Sequence, residues 1–301
     1  MAAPSAPDIY SKIASLKIHA RNLVEGLLSG QHRSLHKGSS VEFAEYKDYS
    51  PGDEIRHIDW KVVGKTDKYH IKQFEQSTNL KCHILLDASG SMGYQPPGKT
   101  NETISKMDYA QTLVSALSYL LLKQFDAVGL ISFNDHIINR IPPRSKPSHF
   151  QNILQSIAEL EPQGITRLDK VISDTVETLP GRSMLIIISD LLTEQNAIIN
   201  SLKLLRARQT EVLLFHILHP DEINLPFDGD IIFESLEDDA SVTLDPADIK
   251  KTYQNIVQEY IWFYKKNCPA LSVDYLFLET TTPLEQALTY YLLKRKRLHK
   301  K

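Results

Sequence analysis

The sequence predicts an α/β protein with a doubly wound, mostly parallel sheet that is covered by helices on both faces. Along residues 81–219, short apolar runs alternate with segments of helical periodicity. The apolar runs are too hydrophobic for one face of the sheet to be exposed to solvent, so both faces are expected to be buried. With 301 residues and 42% hydrophobic content, the chain has enough material for at least one full core.

The first 79 residues are predicted to form an N-terminal helix followed by a small β-rich segment. Apolar residues recur at helical spacing over residues 9–28, and Gly30 stands where a helix would end. Residues 41–46 and 69–74 alternate in polarity, and residues 50–53 are typical of a turn. We therefore expect a β-hairpin segment in this region and not a linker.

Residues 80–220 are predicted to form the α/β domain itself. Its strands are expected at 83–87, 127–133, 184–190 and 211–218. Its helices are expected at 106–123, 150–160, 168–179 and 194–208. The pattern Ser105-x-x-Asp108, which is typical of a capped helix start, precedes the first of these helices.

Residues 221–301 are predicted to be an α/β extension of the same core. Short strands are expected at 231–234, 241–244 and 271–278. Helices are expected at 246–266 and from residue 283 onward. The chain is thus predicted to have three segments, with bounds 1–79, 80–220 and 221–301.

Composition and charge narrow the classes of function. The net charge is −3, so no general electrostatic field favours nucleic acid or an anionic membrane. Only Cys82 and Cys268 are present, each in apolar sequence, which predicts neither a disulfide framework nor a thiolate metal cluster. No segment reaches the ~20 apolar residues of a transmembrane helix, and the N-terminus lacks a secretory pattern. We therefore expect a soluble cytoplasmic protein.

Oxygen-bearing side chains recur where the predicted strands end. Asp87, Ser89 and Ser91 follow the first core strand, two residues apart on one turn. Thr166 precedes a predicted helix, and Asp190 ends a later strand. Doubly wound sheets bind ligands beyond the carboxyl ends of their strands, and oxygen-only ligands suit a hard cation such as Mg²⁺ or Mn²⁺. The plainer alternative is that the acids cap helices and the serines satisfy turn amides.

These five positions resemble the metal-ion-dependent adhesion site of the von Willebrand factor A fold, Asp-x-Ser-x-Ser followed by a loop Thr and a later Asp. Residues 46–61 (YKDYSPGDEIRHIDWK) and 69–75 (YHIKQFE) resemble the signature of the bacterial domain-of-unknown-function family fifty-eight. Its members carry this signature immediately before a von Willebrand A domain. Residues 126–133 (DAVGLISF) are also similar to that family, so the resemblance covers most of residues 40–220.

The resemblance implies a von Willebrand A-like, Rossmann-like fold with Mg²⁺ or Mn²⁺ as cofactor and no catalytic residue. It also implies protein–protein interaction, as an adaptor or chaperone-like partner of a MoxR-type AAA+ ATPase in the assembly or maturation of other proteins. A metal with an open coordination position accepts a carboxylate, so a client protein is expected to offer one. Neither nucleic acid nor a membrane span is expected.

An enzyme is the alternative. Residues 93–100 fit the phosphate-loop pattern Gly-x4-Gly-Lys-Ser/Thr, in which Lys99 would bind nucleotide in an NTPase. Pro96 and Pro97 have no N–H to offer a phosphate, and helical periodicity begins only after Thr100, which weakens this interpretation. A metal-dependent hydrolase would need a general base or a second metal, for which the sequence offers no evident candidate.

A second candidate interaction site lies in the N-terminal segment. Arg56, Asp59 and Trp60 form a possible contact patch, because Trp and Arg dominate the energetics of protein interfaces. In the structural alternative, Trp60 packs under the hairpin while Arg56 and Asp59 pair to hold the turn. The sequence favours the structural role.

Overall fold

The computed structural model describes residues 6–34, 43–48, 70–74, 80–96, 104–180 and 183–298. The chain divides into two compact units, one made of Met1–Leu27 and Leu80–Lys301 and the other of Leu28–Asn79. The boundary falls within the first helix, α1 (Ala6–Ser34). The prediction that Gly30 ends this helix is wrong. A glycine costs a helix only about 1 kcal/mol relative to alanine, and the polar residues that follow can continue the helix.

The smaller unit contains a two-stranded antiparallel sheet. Its strands are β1 (Phe43–Asp48) and β2 (His70–Phe74), which pair with Asp48 opposite His70 and an irregularity near Phe43. The two stretches of alternating polarity therefore form the predicted strands. The predicted turn at 50–53 and the candidate patch of Arg56, Asp59 and Trp60 lie outside the described residues.

The larger unit continues with alternating strands and helices. In chain order they are β3 (Lys81–Asp87), α2 (Lys106–Lys123), β4 (Ala127–Phe133), β5 (Ile137–Arg144), α3 (His149–Ala158), α4 (Leu168–Thr178), β6 (Ser183–Ser189), α5 (Gln195–Ala207), β7 (Glu211–Leu218), α6 (Pro220–Asn224), β8 (Ile231–Glu234), β9 (Ser241–Leu244), α7 (Pro246–Ala270), β10 (Val273–Glu279) and α8 (Leu284–Leu298). A short 3₁₀ turn, Gly90–Gly93, follows β3.

Six of these strands form one sheet in the order β10-β7-β6-β3-β4-β5. Neighbouring strands are parallel except for β5, which runs antiparallel to β4. The chain adds β4 on one side of β3 and later returns to place β6 on the other side. The topological switch point therefore lies between β3 and β6, where ligands of doubly wound sheets bind.

Both faces of the sheet are covered, which confirms the predicted fold class. Leu85, Ile187 and Leu214 point to one face and pack with residues of α4, α5 and α7. Because side chains alternate along a strand, Ile84 and Ile186 point to the opposite face, where they are also fully buried. Helix α2, most of whose residues are buried, packs against β3 and β4. Strands without a wet face explain the continuous apolar runs in the sequence.

The antiparallel edge strand β5 was missed by the sequence analysis. It contains Pro142 and Pro143, which argue against a strand because proline cannot donate to a ladder. An edge strand tolerates proline, since one of its sides has no neighbour. The partner strand accommodates it through Gly129, where a Cβ would lie 2.7 Å from the Ile141 carbonyl oxygen.

The C-terminal segment joins the main sheet. Strand β10 pairs in parallel with β7, and the small antiparallel pair β8–β9 forms a separate hairpin. Cys82 and Cys268 are buried free thiols, as expected. Within the described part of the chain, none of the helices combines the length and apolar character needed to cross a membrane.

Candidate metal centre

The carboxyl end of β3 carries the first predicted ligands. Asp87 ends the strand, and its Oδ1 accepts a hydrogen bond of 2.9 Å from the backbone N–H of Ser89. The 3₁₀ turn Gly90–Gly93 then brings the Ser91 hydroxyl within 3.1 Å of the Ser89 hydroxyl. All three side chains are buried. The spacing of two residues in the sequence thus places the three oxygen-bearing side chains on one turn.

Thr166 reaches the same turn from the loop before α4. The backbone N–H of Gly90 donates to the Gly164 carbonyl at 2.8 Å, which ties the two loops together. Gly164 has a φ of 73°, a conformation that glycine adopts without strain. The Thr166 hydroxyl then donates to Asp87 Oδ2 at 3.1 Å. The loop positions this hydroxyl although it lies far away in the sequence.

Asp190 follows β6, the strand beside β3. The preceding hydroxyl, that of Ser189, donates to Asp87 Oδ2 at 2.6 Å. The Ser91 hydroxyl is close enough to Asp190 to help lower its pKa, and the N–H of Leu192 donates to Asp190 Oδ1 at 3.3 Å. The structure therefore brings all five predicted side chains together at the switch point. Ser189 was not predicted, because it is an ordinary strand residue in the sequence.

The two carboxylates share a dry environment that disfavours two negative charges. Burial raises the pKa of Asp87, and the negative charge of Asp190 raises it further. Hydrogen bonds from Ser189 and Ser89 oppose this rise by stabilising the carboxylate. Burial disfavours the charged form of Asp190 too, but the attraction of a lysine ammonium outweighs it and lowers the pKa of Asp190.

That ammonium belongs to Lys106, the first residue of α2, which the sequence analysis missed. Its Nζ lies 2.7 Å from Asp190 Oδ2 and 2.5 Å from Glu222 Oε1, and its side chain is fully buried. The other oxygen of Glu222 accepts from the His219 N–H at 2.7 Å, as part of a capping box that starts α6. Burial alone would lower the pKa of Lys106, but the two carboxylates raise it.

The donor set fits a hard divalent cation. It offers two carboxylates and three hydroxyls, all oxygen donors, from three separate loops. Among the described residues, no three His, Cys, Asp or Glu side chains are grouped as a metal site, so a cation here would depend on hydroxyls and water. Mg²⁺ and Mn²⁺ accept such ligands, and Mg²⁺ in particular retains several waters when bound to proteins.

The phosphate-loop alternative lacks its structural context. Gly93 closes the 3₁₀ turn, and Lys99 lies outside the described residues. Helix α2 begins only at Lys106, with Ser105 as its N-cap accepting from the Asp108 N–H at 3.0 Å. This confirms the predicted helix start. A phosphate loop requires the helix to begin at the Lys-Thr pair itself, so that its N-terminus faces the phosphates.

The tip of the β8–β9 hairpin lies against the turn that carries Ser89 and Ser91. A Cβ on Gly90 would be 1.9 Å from the Leu236 carbonyl oxygen, so only glycine leaves room for this approach. The tip is closed by a hydrogen bond of 2.8 Å from the Ser235 N–H to the Ala240 carbonyl. The neighbouring Glu237 has a carboxyl oxygen that is shielded from solvent and has no hydrogen-bond partner among the described residues. No sequence signal pointed to this contact.

Comparisons with known proteins identify relatives that are named as uncharacterized proteins. Rv1480 of Mycobacterium tuberculosis and Mb1516 of Mycobacterium bovis, both uncharacterized proteins, are each 28% identical over 247 residues, covering 80% of this chain and 75% of theirs. The uncharacterized protein YeaD of Bacillus subtilis is 24% identical over 144 residues, covering 48% of this chain and 32% of its own.

Solved structures that match this chain include BatB from Bacteroides thetaiotaomicron, with a TM-score of 0.46 and 16% identity. It matches 72% of this chain and 99% of BatB. The SpRpn10 VWA domain has a TM-score of 0.40 and 12% identity, covering 70% of this chain and 94% of that domain. A family model described as "Protein of unknown function DUF58" matches residues 45–260. Because that model spans most of the chain, the protein belongs to the DUF58 family.

Proposed function

We propose that this protein is a non-enzymatic, metal-dependent protein-interaction module. Asp87, Ser89, Ser91, Thr166 and Asp190 would hold one Mg²⁺ or Mn²⁺ ion, directly or through water. The single observation that supports this function most is the convergence of these five side chains at the switch point of the sheet. The Lys106 ammonium already pairs with Asp190, whereas Asp87 is buried with no cationic partner among the described residues, so a cation beside Asp87 would be favourable.

The bound metal supplies a coordination position that accepts a carboxylate from another protein. The protein's own side chains orient the ligands. Thr166 and Ser189 hold one oxygen of Asp87 by hydrogen bonds, and the Ser89 N–H holds the other. Asp87 is thus kept in one orientation before any cation arrives, which lowers the entropic cost of binding.

Exposed apolar side chains surround the site and favour a protein as the partner. Ile165 is next to Thr166 and is 45% exposed, while Leu192, two residues after Asp190, is 44% exposed. Leu236 at the hairpin tip is 52% exposed. A polar centre surrounded by apolar side chains is typical of an interaction surface, where desolvation strengthens a central charged contact.

The partner we propose is a MoxR-type AAA+ ATPase, in the assembly or maturation of client proteins. This choice rests on the family resemblance, which is an associational argument. A non-enzymatic role is favoured because the amine of Lys106 is engaged by two carboxylates and is not available as a base. Binding of ATP that disappears in Lys99→Ala would instead support an NTPase.

The metal is tested by isothermal titration of Mg²⁺ and Mn²⁺ into the wild type and Asp87→Ala. We expect one site in the wild type and none in the variant. Asp135→Asn is the matched control, because Asp135 is a half-exposed carboxylate just beyond the end of β4 that pairs with the adjacent His136. A wild type that binds neither ion would refute the metal centre.

The partner is tested by capture on immobilised protein. A purified MoxR-type AAA+ ATPase is expected to bind the wild type and Asp135→Asn in the presence of Mg²⁺. Its binding should be abolished by EDTA and by Asp87→Ala. Equal capture by Asp87→Ala would show that the interaction does not use the metal. Failure of the wild type to capture the ATPase would refute this choice of partner.

A further inference from the structure

We propose that Lys106 is an internal cation that limits how tightly the centre binds its divalent metal, an inference that rests on the proposed function. The starting observation is the position of its ammonium, which contacts Asp190 Oδ2 at 2.7 Å. Asp190 is one of only two carboxylates among the five proposed ligands. Lys106 and a metal ion therefore share one carboxylate.

The lysine is held where it is. Its side chain is fully buried, and a second carboxylate, that of Glu222, lies 2.5 Å from the ammonium. Glu222 is itself restrained, because its other oxygen accepts from the His219 N–H. Moving the ammonium away would leave Asp190 and Glu222 buried without a counter-ion, which is strongly unfavourable. A divalent ion must therefore bind beside the ammonium, because displacing it would cost too much free energy.

Charge repulsion follows from this arrangement. A positive group in contact with one oxygen of a carboxylate weakens the electrostatic attraction between that carboxylate and a metal ion. The other oxygen of Asp190 accepts from the Leu192 N–H at 3.3 Å, which further favours contact with the metal through water. Asp87, which has no cationic partner within the described part of the chain, would be the stronger carboxylate ligand.

The same lysine helps a partner's carboxylate to bind. Asp87, Asp190 and Glu222 with one ammonium leave two net negative charges, which one divalent ion neutralises. A carboxylate then approaches a neutral cluster. Without the lysine, the metal-loaded cluster would keep one negative charge and would repel the incoming acid. Lys106 therefore weakens metal binding while it keeps the loaded site receptive to anions.

The experiment compares Mg²⁺ binding by isothermal titration in the wild type, Lys106→Met, Glu222→Gln and Lys123→Met. Lys123 is the matched control, because it is the last residue of the same helix and its side chain is 42% exposed. We expect Lys106→Met to bind Mg²⁺ at least tenfold more tightly than the wild type. Lys123→Met should bind like the wild type.

Glu222→Gln keeps the proposal testable even where Lys106→Met does not fold. It removes a negative charge and leaves the ammonium to Asp190 alone, so Mg²⁺ should bind several-fold more weakly. A second readout is the rise in thermal unfolding midpoint on adding Mg²⁺, which should be larger in Lys106→Met and smaller in Glu222→Gln than in the wild type.

The experiment distinguishes failure of the role proposed for Lys106 from failure of the proposed metal centre. If the wild type binds Mg²⁺ while folded Lys106→Met binds it equally or more weakly, the role of Lys106 is refuted and the metal centre stands. Tighter binding by Glu222→Gln would refute the role of Lys106 as well. If neither the wild type nor Lys106→Met binds Mg²⁺ at all, the proposed metal centre itself fails.

Discussion

Replacing Gly90 by alanine should displace the tip of the β8–β9 hairpin from the turn that carries Ser89 and Ser91. The new Cβ would lie 1.9 Å from the oxygen and 2.8 Å from the carbon of the Leu236 carbonyl. Real Cβ contacts essentially never fall below 3.0 Å, so the two backbones must separate by about 1.1 Å. The obstacle is backbone and not the flexible end of a side chain, so the strain cannot be relieved by a rotamer change.

The loss of stability in Gly90→Ala can be estimated from substitutions that overpack other proteins. Forcing extra volume into a well-packed position typically costs about 1–3 kcal/mol. For a domain of this size, each kcal/mol corresponds to about 2–4 °C in Tm, so we expect Tm to fall by roughly 2–12 °C. Because Gly90 stands between two proposed ligands, Ser89 and Ser91, Mg²⁺ binding should weaken when the turn is the part that moves.

The assay is thermal unfolding by circular dichroism, together with isothermal titration of Mg²⁺. Gly26→Ala is the control, since the residue is inside α1 and, apart from its own helix, no described residue comes within 4 Å of a Cβ placed there. Alanine at that position should stabilise the helix by about 0.5–1 kcal/mol. The two substitutions add the same methyl group with opposite expected signs. If Gly90→Ala unfolds at the wild-type temperature and binds Mg²⁺ normally, the close approach of the hairpin is wrong.

Two further predictions concern buried ionisable side chains away from the turn that carries Ser89 and Ser91. Burial, helped by Arg140 and Lys81, lowers the pKa of His83 to about 4, whereas the unfolded chain protonates histidine near 6.5. Acidification therefore favours the unfolded state, and the wild type should lose about 2 kcal/mol more unfolding free energy than His83→Phe between pH 7.5 and 5.0, measured by urea denaturation. A pH dependence that is identical in the two proteins would contradict this. Arg295 pairs with Asp126, whose side chain is only 2% exposed, so Arg295→Met should cost about 3–5 kcal/mol by leaving a buried carboxylate unpaired. Adding Asp126→Asn should recover part of that loss in the same denaturation assay, and a double variant no more stable than the single one would argue against the ion pair.

Most elements could be predicted because their signals are local. Helix α2 was predicted at its observed bounds from apolar spacing and the Ser105 cap, and β4 and β7 from apolar runs. Strand β5 could not be predicted in this way. Its prolines forbid a central strand, and only the finished sheet shows that this segment lies at an edge.

The five proposed ligands were also predictable from the sequence. In a parallel sheet the ends of neighbouring strands share one edge, so strand-end positions alone imply that Asp87 and Asp190 lie close together. Thr166 follows from the same rule, because its loop returns the chain to that edge. Their meeting in space was therefore a consequence of topology, and topology followed from the alternation of strands and helices.

By itself, the sequence determined the fold class, the order of the elements and the oxygen-bearing side chains at the strand ends, because periodicity, caps and strand ends are local features. Only the tertiary structure decided the electrostatic character of the centre. Lys106 finds its two carboxylates 84 and 116 residues away. No local pattern marks those partners, since burial and proximity arise only when the helix, the strand and α6 pack together.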